Sequence, residues 1–337
     1  MAQILTIILN YRTPAMTLQA AEAALREMEG IAGELVIVDN DSGDGSFEML
    51  QEGVQSRGWD VRVLQSGHNG GFGAGMNFGM RAGLRDGSAP DYYYILNSDA
   101  FPDAGAIHVL LDYLESHPGV GIAGSCIHGP EKDIHFTAFR FPGILSEFEG
   151  AIRFGPVTRM LADHAVPMPV PEKSGPVDWL AGASMMLRAR VLDEIGMFDE
   201  AFFLYFEETD LCRRAALAGW PTHYVAESRV THIGSVSTGM KGWDRVPEYW
   251  LDSRWHYFVK NHGLGYAVLA TLAHVTGGSL YRLRALLQWR GLADSPHFLR
   301  RLIVHDAKSL VAAPVRRGGQ TAGNGPKGTS GRKEGKS

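Results

Sequence analysis

The chain reads as an α/β protein, a mixed sheet flanked by helices with a helical appendage at its C-terminal end, and three observations carry that reading. Short β-branched runs alternate with helical periodicity through the first hundred residues. Acidic and amide residues gather where those runs end. The charge changes sign after residue 262. At 337 residues and 45% hydrophobic content, the chain can bury a full α/β core and carry a smaller appendage.

The first strand is the run Ile4 to Leu9, which ends at Asn10-Tyr11, and a helical pattern follows from Thr17 to Met28. Leu35 to Val38 is a second strand, ending in the turn-forming Asp39-Asn40-Asp41-Ser42-Gly43-Asp44, so the chain opens with a βαβ unit. Asp39 stands where nucleotide-binding sheets place a carboxylate against a base or ribose, and the Asp and Gly density is equally plain turn chemistry. A third strand, Val61 to Leu64, leads into the loop His68 to Gly79 and then a helix through Met80 and Leu84. The loop glycines let the backbone approach a ligand closely. No frame of the loop fits G-x-G-x-x-G, and the P-loop pattern is absent, so dinucleotide and P-loop sites are disfavoured.

Tyr92 to Leu96 is a fourth strand whose end, Asn97-Ser98-Asp99, offers hard oxygen ligands to Mg²⁺ or Mn²⁺ or simply makes an Asx-turn. The most informative stretch is Phe203 to Arg214, in which Glu207, Glu208 and Asp210 follow an aromatic run. Apolar neighbours favour the protonated form of a carboxylate, which suits a group that must accept a proton near neutral pH. A helix starting near Glu208 turns Leu211 and Ala215 to the core. Three acids at its first turn also fit the helix dipole alone.

In order, these segments resemble family 2 glycosyltransferases of the GT-A fold, a Rossmann-like mixed sheet, and within them the branch of bacterial rhamnosyltransferases. The resemblance runs from Ile4 to about His262. It includes Val38 to Ser42, the Asn-x-Gly-Phe loop with Asn77, Leu96 to Asp99, Trp-Leu-x-Gly-Ala at Trp179 to Ala183, Gly-x-Phe-Asp-Glu at Gly196 to Glu200, and Glu207 to Arg214. It implies an inverting enzyme that moves a sugar, with rhamnose the first expectation, from a dTDP-, UDP- or GDP-sugar to a saccharide or polyprenyl-linked saccharide in cell-surface polysaccharide synthesis. It further implies that Asn10, Tyr11, Asp39, Asn69, Gly70, Phe72, Asn77, Asn97 and Ser98 surround the nucleotide-sugar. Asp99 would hold Mg²⁺ or Mn²⁺, His232 would complete the metal shell or donate to phosphate, and Trp179 and Gly182 would lie toward the acceptor, although Trp179 suits a core position as well. Glu208 matches the general base, with Glu207 and Asp210 orienting it or the helix start. Asn97 stands where many such enzymes carry Asp, and Glu208 where Asp is common. A non-catalytic glycan-binding or scaffold protein of the same fold is the alternative, and a sugar-1-phosphate nucleotidyltransferase is disfavoured by Asn10 to Pro14 after the first strand.

Cys126 and Cys212 stand far apart, which supports neither a disulfide framework nor a zinc site. The first apolar run is short and follows no basic region, so no signal peptide is expected. Residues 263–337 hold twelve Lys or Arg against Asp294, Asp306 and Glu334, a net of +9 that leaves −14 on residues 1–262. The expected organisation is a catalytic domain over 1–262, an amphipathic, membrane-associating helical segment over 263–313 and a disordered basic tail over 314–337. His274, Gly277 and Gly278 break the apolar run short of a span, which leaves an interfacial helix pair or ordinary packing helices. The expected place is the cytoplasm, peripheral on an anionic inner membrane face. Nucleic acid is not an expected partner, since residues 1–262 are acidic.

Overall fold

The computed structural model describes residues 2–234, 245–292 and 294–312. β1 (Gln3–Asn10), α1 (Pro14–Glu27) and β2 (Ala32–Asp39) form the opening unit; α2 (Ser46–Ser56), β3 (Val61–Gln65), α3 (Phe72–Arg81) and β4 (Tyr92–Asn97) follow. These four strands are parallel, in the order β3-β2-β1-β4. The runs are continuously apolar because both faces are covered: Ile4 and Ile8 pack with Leu18 of α1, while Leu5 and Ile7 pack with Met76 and Met80 of α3. α3 begins at Phe72, well before Met80, so most of the expected ligand loop is helix. Its glycines serve the sheet: a Cβ on Gly79 would stand 2.7 Å from Ile7 Cγ2, and one on Gly75 would stand 2.4 Å from Leu9 Cδ1.

β5 (Ala100–Pro102), α4 (Ala106–Ser116) and β6 (Ile122–His128) continue the sheet, and β7 (Ala138–Phe139), α5 (Ile144–Ile152) and α6 (Gly155–Met160) leave it. Then come β8 (Gly175–Val177), β9 (Trp179–Leu180), β10 (Ser184–Arg188), α7 (Ala189–Ile195), α8 (Glu207–Leu217) and β11 (Thr222–His232). β10 lies antiparallel between β4 and β6, and β11 pairs β6, β5 and β8, so the sheet is mixed. β7 and β9 form a separate two-stranded ribbon. In register, Asn10 faces Asp39 and Leu9 faces Asn97, which brings the polar ends of β1, β2 and β4 to one edge. That edge is where open α/β sheets bind ligands.

The helices α9 (Glu248–His262), α10 (Leu264–Leu287) and α11 (Phe298–Ala312) close the described chain. Those beyond residue 262 do not build a core apart. Ala267 and Ala270 of α10 share one apolar cluster with Tyr257 and Phe258 of α9, Ile144 of α5, and Phe202 and Phe206 before α8. α10 runs unbroken through Gly277 and Gly278, which the sequence reading treated as a break. There a side chain would meet Phe148 O at 2.7 Å and Leu299 Cδ1 at 2.9 Å, so the glycines admit α5 and α11. Arg254 sits fully buried at this junction, donating to both Glu147 oxygens at 3.2 and 3.0 Å and to Asp306 at 3.1 Å. The tail expected from residue 314 lies outside the described residues.

Candidate active site

α8 begins after two aromatic residues, Tyr205 and Phe206, held at φ 71° and 70°. Left-handed backbone in two successive bulky residues is strained and persists only where surroundings over-determine it. The turn delivers Glu207 inward and Glu208 toward the β9–β10 connection. Glu207 is buried, and its Oε2 has no hydrogen-bond partner. Burial, then the charge of Glu208, pushes its carboxyl well above the ordinary range. Glu208 Oε1 accepts the Gly182 N–H at 3.2 Å, and desolvation raises its pKa against that stabilising bond. Gly182 can be nothing larger without disturbance, since a Cβ would lie 3.0 Å from the Glu208 carboxylate. Beside this connection the rings of Trp179 and Phe139 stack at 4.3 Å, 18° from parallel.

Asp210 is different. It is fully buried and receives Arg214 Nε at 2.8 Å, Lys260 Nζ at 2.8 Å and Asn261 Nδ2 at 3.1 Å. Its oxygens tie α8 to α9, in keeping with the expected role of orienting the helix start.

The glycine loop docks on the same aromatic stretch. Phe72 N–H donates to Phe203 O at 3.0 Å, and Gly71, at φ 90°, has that carbonyl 1.8 Å from where a Cβ would stand. Asn69 Oδ1 accepts from Gly71 N–H and from Asn40 Nδ2, both at 3.0 Å. At the sheet edge, Asn10 Nδ2 donates to Asp39 Oδ1 at 2.7 Å, and the Asn10 Oδ1 accepts Thr17 Oγ1 at 2.7 Å. Ser42 donates to Asp39 through its hydroxyl at 2.6 Å and its N–H at 3.1 Å. Thr13 Oγ1 donates to Ser98 Oγ at 3.2 Å and so stitches the ends of β1 and β4 together.

At the end of β4, Asp99 Oδ1 stands 3.0 Å from His232 Nε2, because β5 and β11 pair with Ala100 opposite His232. Asn97 N–H donates to Ala183 O at 3.1 Å, which links the Asn97–Asp99 turn directly to the residue after Gly182. Asp99 follows β4, His232 ends β11, and Glu208 stands on α8 against the β9–β10 connection, which the Asn97–Ala183 bond ties to the end of β4. Among the described residues no group of three or more His, Cys, Asp or Glu could hold a metal by itself. One carboxylate and one imidazole fit a divalent cation whose remaining ligands come from a diphosphate and water.

A family model described as "Glycosyltransferase like family 2" matches residues 2–245. The chain belongs to that family. This glycosyltransferase is 29% identical over 249 residues to the N-acetylglucosaminyl-diphospho-decaprenol L-rhamnosyltransferase of Mycobacterium tuberculosis H37Rv, covering 71% of this chain and 79% of the relative. It is 29% identical over 144 residues to rhamnosyltransferase WbbL of Escherichia coli K12, covering 42% and 52%. Among solved structures, it superposes on GalNAc-T7 with UDP, GalNAc and Mn²⁺ at TM-score 0.55 and 13% identity, over 90% of this chain and 54% of that one. It superposes on mannosyltransferase PcManGT of Pyrobaculum calidifontis with GDP-Man and Mn²⁺ at TM-score 0.51 and 12% identity, over 92% and 87%. The fold is that of GT-A enzymes.

The glycosyltransferase brings Glu208, Gly182 and Trp179 together, and separately Asn97, Ser98, Asp99 and His232. Tyr11, Gly70 and Phe72 are half-buried on the rim. Asn10, Asp39 and Asn77 are all at 0% exposure. Here each of these side chains bonds to protein: Asn77 donates to Phe198 O and Glu200 Oε1, both at 2.9 Å, and accepts Phe198 N–H at 3.0 Å. Sequence reasoning missed Arg12, an exposed residue over the Tyr11 ring at 5.1 Å whose Nε donates to Ser42 O at 3.1 Å. Its place directly after Asn10-Tyr11 was the available signal. Phe139 was missed too, since only the β7–β9 pairing brings it to Trp179.

Proposed function

We propose that this glycosyltransferase is an inverting, divalent-metal-dependent enzyme that transfers a sugar, with L-rhamnose first, from a nucleoside-diphosphate donor to a polyprenyl-diphosphate-linked saccharide. The observation that carries the mechanism is the Glu208 carboxylate, held by the Gly182 N–H beside the Trp179–Phe139 stack and one strand from Asp99–His232. Glu208 takes the proton of an acceptor hydroxyl as that oxygen bonds to the anomeric carbon. The bond from that carbon to the diphosphate oxygen breaks on the opposite face, so configuration inverts. The raised pKa makes Glu208 a stronger base than an exposed carboxylate. Glu207 stays neutral beneath it and keeps a second negative charge out of the site.

Asp99 and His232 are the residues that would hold the cation, whose chemistry is to neutralise charge developing on the departing diphosphate. Arg12 adds a fixed positive charge at the nucleotide edge. The names of the tubercle bacillus and E. coli relatives support rhamnose, and the first of them names a decaprenyl-diphosphate acceptor. An acceptor of that kind supports a position at the inner membrane face. No helix among the described residues is long and apolar enough to cross a membrane. The test is release of nucleoside diphosphate across dTDP-, UDP- and GDP-sugars with an N-acetylglucosaminyl-diphospho-polyprenol, with Mn²⁺, Mg²⁺ or chelator. Acceptor-dependent release from dTDP-rhamnose, lost in chelator, is expected. No release from any donor by the folded, metal-supplied protein leaves the non-catalytic reading.

A further inference from the structure

α10 is built inside out. Its small residues, Ala267, Ala270, Gly277, Gly278 and Ala285, are buried, while its leucines face solvent: Leu272 and Leu283 at 55% exposure, Leu286 and Leu287 at 71%, with Trp289 beyond the helix at 95%. At 24 residues, or about 36 Å of helix, this is a long apolar face, and such faces on a folded protein mark an interaction surface. Cations gather at the end of the same helix. Arg153 and Arg282 share the single carboxylate of Asp294, at 2.8 and 3.3 Å. Among the described residues Arg284 has no acid hydrogen-bond partner and donates instead to the Arg153 and Ile152 carbonyls at 2.7 and 3.2 Å. Rings brace the guanidinium groups: Arg153 lies 5.2 Å over Tyr281, and Arg284 lies 4.9 Å over Phe154. Three positioned cations to one carboxylate leave a standing positive charge, with exposed Arg290 just beyond.

We propose that this end of α10 seats an anionic phospholipid of the bilayer, Arg153, Arg282 and Arg284 taking the headgroup phosphate while the exposed leucine face lies among the upper acyl carbons. The proposal rests on the membrane-surface reading above and supplies its contact residues. Positive charge bordering an exposed apolar stripe is the pattern of a helix lying in a membrane interface. Planar guanidinium groups match phosphate oxygens. A second copy of the chain fits less well, since in a symmetric pair the same patch meets itself and repeats its charge. Because α10 shares a core with Phe206, which leads directly into Glu207, this seat would hold the active site at a set height above the bilayer.

The full-length protein should sediment with vesicles of phosphatidylcholine and phosphatidylglycerol and far less with phosphatidylcholine alone. Leu283→Gln with Leu286→Gln, both at exposed positions, should cut that binding by about tenfold or more. Arg153→Gln with Arg282→Gln should remove the preference for phosphatidylglycerol. Calorimetric binding of a nucleoside diphosphate should stay at wild-type values in both variants, and the melting curve at its wild-type value in the leucine variant. Undiminished vesicle binding by the leucine variant would overturn the proposal and point to the basic tail. So would a wild-type dimer that the leucine changes dissociate without any vesicle binding. If the wild type ignores vesicles yet releases nucleoside diphosphate from its donor, the seat is wrong and the transferase reading stands.

Discussion

Glu208 and Glu207 are adjacent carboxylates in different surroundings, the first bonded by Gly182 N–H and the second buried. Glu208→Gln keeps the shape and removes the basic lone pair, so kcat should fall by about 10²- to 10⁴-fold, while calorimetric binding of the nucleoside diphosphate stays near wild type. Glu207→Gln imitates the protonated form that burial and the Glu208 charge favour and should cost much less. A base works only when deprotonated, and the Glu208 pKa is raised above 4.5. Activity should therefore be lost as pH falls through that raised value, and the acidic limb of the kcat profile should lie above the ordinary carboxylate range. Gly182→Ala places a methyl 3.0 Å from the Glu208 carboxylate and should lower kcat without lowering the melting temperature much. Asp99→Asn should abolish Mn²⁺-stimulated turnover and weaken the Mn²⁺ dependence of nucleoside diphosphate binding, with folding intact by circular dichroism.

At the scale of elements, buried ion pairs decide how helices sit on the sheet. Asp210 joins α8 to α9, so Asp210→Asn should reduce the melting temperature while the folded fraction keeps most of its turnover. That outcome would separate a carboxylate that ties helices from the proposed base two residues earlier. Arg254→Met leaves Glu147 and Asp306 without their shared cation, and removing one partner of a buried pair costs about 3–5 kcal/mol, measurable by urea denaturation. Glu147 is held down to about 2 from 4.5, with burial opposing and Arg254 and His274 outweighing it. Its folded pKa is depressed, so this stability is fully present above pH 4.5 and should be lost as pH falls from there toward 2. Denaturation of the wild type should show that acid dependence, and the Arg254 variant should show much less of it.

For the whole molecule, the parallel half of the sheet was legible because both faces of β1, β2 and β4 are buried. Burial on both faces makes each strand an unbroken apolar run with its polar residues at the end. Family motifs, read in order, placed Glu208, Asp99 and His232 near one edge before any coordinates. Three kinds of feature were not legible. Depth was one: Asn10, Asp39 and Asn77 carry polar side chains that suit ligands and buried networks equally, and only the packing around them spends their hydrogen bonds on protein. The purpose of glycines was another, since Gly71, Gly75 and Gly79 serve approaches by Phe203, Leu9 and Ile7 that are distant in sequence. The third was the C-terminal region. There a basic, leucine-rich pattern predicted helices broken at Gly277, yet α5 and α11 close on that glycine pair and keep α10 whole. The sequence by itself determined the strand-end chemistry, the acidic pair and the family, because these depend on local pattern. Only the tertiary structure decided that Asp210 is a tie, that Glu207 is buried without a partner for Oε2, and that the leucines of α10 face outward, because each follows from what packs against the residue from elsewhere in the chain.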